Sequence, residues 1–122
     1  MKKNILLVED EFLVAQALQE LLKDEGYHVD IAENGVEALQ LYDQKAYDLL
    51  VVDLFMPEKD GIATMMDLQR KQNDVKLIAI SGGGTLLKNY DYLEYASALG
   101  ALACFKKPIE PSPFLDAIAQ NI

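Results

Sequence analysis

Cysteine is nearly missing from this chain of 122 residues: Cys104 stands alone, so no internal disulfide can form, which suits a reducing compartment. Histidine is as scarce. With His28 as the single imidazole, neither a histidine metal site nor a Ser-His triad can be assembled, and a place at a strand edge is expected of it. No apolar run approaches the roughly 18 residues that suggest a membrane span. In "MKKNILLVEDE" the acids follow the two lysines too early for a signal peptide. Internal repeats, low-complexity tracts and linkers are lacking too. Positive charge is in deficit, with 11 Lys and Arg against 20 Asp and Glu and a net charge of −9. Nucleic acid and anionic membrane are therefore not expected as partners, whereas cations and basic protein surfaces are. Together these absences lead us to expect a single cytoplasmic domain over residues 1–122.

What is present is a sizeable apolar fraction, 51%, arranged in short runs that alternate with helical periodicity. "NILLV" (Asn4 to Val8) reads as a first strand, and Val14, Ala17, Leu18, Leu21 and Leu22 then recur at helical spacing before Gly26 ends the helix. "YHVDIA" is a second strand. Asn34 and Glu37 form a capping-box pair ahead of Val36, Leu39 and Leu41. "YDLLVVD" is a third strand, and Asp60 is placed to cap a helix carrying Ile62, Met65, Met66 and Leu68. "VKLIAIS" (Val75 to Ser81) is a fourth strand, followed by Gly82, Gly83 and Gly84 and a helical stretch that stops at Gly100. "ALACFKKP" is a fifth strand, and a last helix starts near Ser112 and Pro113. Such alternation implies an α/β fold, a parallel sheet with helices on both faces.

Ligands of open α/β sheets bind outside the carboxyl ends of the strands. Strand one ends in Glu9, Asp10 and Glu11, strand three in Asp53, strand four in Ser81, and strand five in Lys106, Lys107 and Pro108. If strands one and three are neighbours, Glu9, Asp10 and Asp53 share one pocket. Carboxylates that close repel one another, and their pKa values are expected to rise unless a cation intervenes. Oxygen ligands in an open shell suit Mg²⁺ better than Ca²⁺. A hydroxyl and an ammonium beside them would hold an anion against the metal, and a phosphoryl group on a carboxylate fits that description.

"ILLVEDE", "VVDLFMPEKDG", "IAIS" and "KKP", in this order and spacing, resemble the receiver domain of bacterial two-component response regulators, the CheY-like family, across the whole chain. The resemblance implies a flavodoxin-like (βα)5 doubly wound sandwich with strand order 2-1-3-4-5. It implies that Asp53 accepts a phosphoryl group from a sensor histidine kinase or phosphotransfer protein. Asp10 matches the acidic Mg²⁺ ligand, Glu9 the second acid acting through water, and the Phe55 backbone carbonyl the third protein ligand. Ser81 matches the switch hydroxyl and Lys107 the lysine that pairs with the acids before phosphorylation and with the phosphoryl group after it, with Lys106 pointing away because neighbouring strand residues alternate. The Lys107–Pro108 bond is expected to be cis, as in the family. The module would then act as a monomer or a phosphorylation-linked dimer, switching its affinity for a downstream protein rather than working as an enzyme.

Several residues depart from the family pattern. Most relatives carry Asp where Glu9 stands; the charge is kept, so metal binding is expected to survive. Cys104 occupies a place where many relatives have the Tyr or Phe that relays the switch. Either Phe105 or a tyrosine of the helical stretch from Leu86 replaces it or the relay is weaker, and Cys104 is expected to be a small packed side chain rather than a redox sensor. Phe55 and Gly83 offer no side chain to orient water, so the phosphoryl group on Asp53 is expected to outlast that of fast-cycling relatives. The segment Ser81 to Gly100, with Tyr90, Tyr92 and Tyr95, is long for the family and reads either as a partner surface or as a loop and an ordinary helix. A haloacid-dehalogenase-type phosphatase would need an acid where Phe55 stands. The alternative of a pseudo-receiver, binding without phosphorylation, would be expected to have lost Asp53, Asp10 or Lys107, and none is lost.

Overall fold

Five parallel strands lie in the order β2-β1-β3-β4-β5, namely β1 (Asn4–Val8), β2 (His28–Ala32), β3 (Leu49–Asp53), β4 (Leu77–Ser81) and β5 (Ala103–Lys106). Helices α1 (Phe12–Asp24), α2 (Gly35–Gln44), α3 (Gly61–Lys71) and α4 (Pro111–Asn121) accompany them. The computed structural model describes residues 2–54, 61–71, 75–81 and 100–122. The expected cap Asp60 and the helix expected from Leu86 up to its stop at Gly100 lie outside those residues, Gly100 itself excepted.

Every residue of β3 and β4 is buried, which accounts for their unbroken apolar runs: a central parallel strand is covered on both faces. Alternation sorts the side chains into two layers. Leu6, Val8, Leu50, Val52, Leu77 and Ala79 face one way and pack with Ala38 of α2 and Leu68 of α3. Ile5, Leu7, Leu49, Val51, Ile78 and Ile80 face the other way and pack with Ala15, Leu18 and Leu22 of α1 and with Phe114 and Ile118 of α4. The register keeps each layer in line, Leu6 pairing with Leu50 and Leu50 with Leu77.

Local chemistry sets the element ends. Asn34 caps α2 by accepting the Glu37 N–H on Oδ1 at 2.8 Å. At the end of α1 the Gly26 N–H donates to the Lys23 carbonyl (2.9 Å) and the Tyr27 N–H to the Leu22 carbonyl (3.3 Å). This is a Schellman turn, and it needs the positive φ of 92° that Gly26 supplies. Tyr27 is thereby used by the turn, so β2 starts at His28, one residue later than its apolar pattern suggests. β3 likewise starts at Leu49 rather than Tyr47; Asp48 instead pairs with Asn4, whose N–H donates to Oδ2 at 2.7 Å. β5 ends before the Lys107–Pro108 bond, which is cis. α4 begins at Pro111, where a missing N–H costs nothing.

An acidic pocket at the carboxyl ends of the strands

Pairing of β1 with β3 brings Val8 opposite Val52, so the next residue of each strand, Glu9 and Asp53, leaves the sheet side by side. Both are buried, as is Ser81 at the end of β4. Asp10 keeps contact with solvent. Glu9, Asp10 and Asp53 each offer a carboxylate oxygen, and these oxygens lie within 4.8 Å of one another.

Among the described residues, one cation enters this group. Lys107 Nζ donates to Asp53 Oδ2 at 3.2 Å and sits in close contact with Glu9 Oε1. It also lies 3.8 Å from Glu11 Oε1. The Lys107 N–H donates to the Ser81 carbonyl at 2.8 Å, which fixes the base of the lysine at the end of β4. Lys106, by contrast, is exposed, as strand alternation requires.

Burial pushes the Glu9 carboxyl up to about 8, and the neighbouring Asp53 adds to the rise while Lys107 opposes it. Burial works to lower Lys107, but Glu9 and Asp53 outweigh it and raise the ammonium above its ordinary value. Among the described residues, the pocket sets the three carboxyl groups of Glu9, Asp10 and Asp53 against the ammonium of Lys107. Glu9 Oε1 is buried and, although it touches the ammonium, finds no aligned hydrogen bond among the described residues. A buried oxygen in that state, within a set of carboxylates, fits a hard divalent cation. The Phe55 carbonyl, expected as a further ligand, lies outside the described residues, as do Gly83 and the tyrosines at 90, 92 and 95.

The two neighbours of the sheet end at β5 face opposite ways. Cys104 is partly buried and packs on the layer beneath α2 and α3. Phe105 turns to the other layer and meets Phe114 edge to face, ring centroids 5.6 Å apart.

The family model for the response regulator receiver domain matches residues 5–119. The chain belongs to this family. Among its relatives, sporulation initiation phosphotransferase F of Bacillus subtilis (strain 168) is 30% identical over 100% of this receiver chain and 95% of that protein. Chemotaxis protein CheY of Halobacterium salinarum is 32% identical over 98% and 96% respectively. The receiver chain spans only 57% of the probable transcriptional regulator ycf29 of Porphyra purpurea, to which it is 32% identical. Among solved structures, the response regulator TrrA from Thermotoga maritima in complex with Mg²⁺-BeF has a TM-score of 0.84 at 28% identity, covering 98% of this chain and 99% of that one. A receiver domain protein from Clostridium thermocellum shares the fold at a TM-score of 0.88 and 24% identity, over 98% and 94%. The flavodoxin-like doubly wound sheet expected from the motifs is thus the fold of this receiver domain.

The described residues expected to form the site, Glu9, Asp10, Asp53, Ser81 and Lys107, are met together at one end of the sheet. Glu11 was not singled out from the sequence; its signal is a third consecutive acid after β1, and only the position of Lys107 reveals what the third acid approaches.

Proposed function

We propose that this receiver domain takes a phosphoryl group onto Asp53 from a histidine kinase or phosphotransfer protein, with Mg²⁺, and that the change alters its affinity for a downstream protein. The observation that carries this reading is the contact of Lys107 with Asp53 and Glu9 inside a cluster of three carboxylates. An Asp53 oxygen would attack phosphorus, forming the P–O bond as the P–N bond to the donor histidine breaks and its electron pair returns to the imidazole. Asp53 suits the task because the end of a buried central strand holds it still. Glu9, Asp10 and Asp53 would hold Mg²⁺, Glu9 through water. When bound, the ion offsets the charge that gathers on the phosphoryl oxygens. Lys107 would keep its hold on Asp53 before transfer and meet a phosphoryl oxygen afterwards. Ser81, at the end of the adjoining strand, would supply the hydroxyl that answers the new group. The stretch 1–122 would work as one such unit in the cytoplasm.

Titration with Mg²⁺ and then beryllium fluoride, a stand-in for the phosphoryl group, tests this by amide NMR. Mg²⁺ alone should shift Glu9, Asp10 and Asp53. Beryllium fluoride should act only with Mg²⁺ present and should extend the shifts to Ser81 and Lys107. Shifts from Mg²⁺ with none from beryllium fluoride would favour a pseudo-receiver.

A further inference from the structure

Three carboxylates surround Lys107 Nζ, and they differ in exposure. The side chains of Glu9 and Asp53 are 0% and 2% exposed, whereas that of Glu11 is 65% exposed. The ammonium donates to Asp53 and is in contact with Glu9, and Glu11 is its third, outer carboxylate. Glu11 also stands at the N-cap of α1, where Ser, Thr, Asp or Asn would serve the helix better. Its side chain makes no cap hydrogen bond there. The carboxylate instead reaches towards Lys107, while the Glu11 N–H donates to Glu9 Oε2 at 3.4 Å. One residue thus lies beside both Glu9 and Lys107, its amide bonded to the acid and its carboxylate 3.8 Å from the ammonium.

We propose that Glu11 is a positioning residue that draws the Lys107 ammonium towards the rim of the pocket, off Glu9 and Asp53, and so eases entry of a divalent cation between the buried carboxylates. The proposal rests on the receiver reading above. Lys107 and the ion compete for the same two acids, and any partner that holds the lysine outside shifts that competition towards the ion. Glu11 acts through Lys107 and needs no contact with the metal. The buried Glu9 oxygen without an aligned hydrogen bond is the acceptor such a shift leaves for the ion.

A double-mutant cycle tests this on the whole chain without any phospho-donor. Mg²⁺ affinity is measured by calorimetry for the unaltered protein, Glu11→Gln, Lys107→Met and the double variant. Salt near 0.3 M screens charges further apart than roughly 6 Å. Glu11→Gln should weaken Mg²⁺ binding about two- to fivefold when Lys107 is present, the range of an exposed ion pair, and should leave it unchanged in the Lys107→Met background. Equal weakening in both backgrounds would show a remote charge effect and overturn the proposal, as would no weakening in either. Failure of the unaltered protein to bind Mg²⁺ would overturn the receiver reading as well. Glu11→Asp, with the charge kept on a shorter arm, should fall between Glu11 and Gln.

Discussion

Glu9 joins two demands that conflict: its place at the end of β1 hides it from water, yet its neighbours need it charged. Its carboxyl is pushed from 4.5 up to about 8, first by burial and then by Asp53, against Lys107. Between those values the folded chain holds a proton that the unfolded chain has released. Stability from this group therefore falls as pH rises from about 4.5 to about 8. A cation bound to the carboxylate must displace that proton, so stabilisation by Mg²⁺ should grow over the same interval. Urea melts of the unaltered protein and Glu9→Gln, with and without Mg²⁺, check both slopes. We expect the substitution to flatten them, and coincident pH profiles would refute the assignment. The crowding of three acids at two strand ends, and a rise in carboxyl pKa from it, were legible. That burial is the larger cause at Glu9 was not, because burial depth is a property of the packed sheet rather than of the "VED" run.

At the scale of elements, α2 is held at both ends. Asn34 caps its start, and its replacement by Ala should cost about 1 kcal/mol in chemical denaturation. Past its other end, Lys45 Nζ (3.0 Å) and Tyr47 Oη (2.8 Å) both donate to Asp30 Oδ2 on the edge strand β2. His28 Nε2 lies 3.4 Å from the other Asp30 oxygen, at the edge of the sheet as its isolation in the sequence suggested. Burial works to raise Asp30, but the hydrogen bonds from Tyr47 and Lys45 outweigh it and lower the carboxyl below its model-peptide value of 3.8. The stability this brings is present above about 4 and is lost as pH falls through the lowered value. Tyr47→Phe should cost about 1 kcal/mol at neutral pH and less at acid pH, read by thermal unfolding at both; a cost that does not change with pH would contradict this. The cap and the glycine stop of α1 were legible because they are local. The Asp30 cluster was not, because its partners come from 15 and 17 residues away and meet only when α2 packs on the sheet.

Over the whole molecule, function depends on strand order. Lys107 and Asp53 are 54 residues apart and meet because β3, β4 and β5 are neighbours. The alternation of strands and helices announced a parallel sheet, and the motifs resembling receiver domains supplied its order. The resemblance also implied that Lys107 pairs with the acids, and it meets Glu9 and Asp53; the approach of Glu11 was beyond reach, because only the packed sheet selects it among the residues at the strand ends. In the proposed function, phosphoryl transfer to Asp53 is the step on which every other role would depend. Intact mass after incubation with Mg²⁺ and a small acyl phosphate, beside an Asp53→Asn control, tests it most directly. We expect a gain of one phosphoryl group that is absent in the control and abolished by a chelator. An unchanged mass in protein that binds Mg²⁺, or an equal gain in Asp53→Asn, would contradict the assignment of Asp53 as the phospho-acceptor.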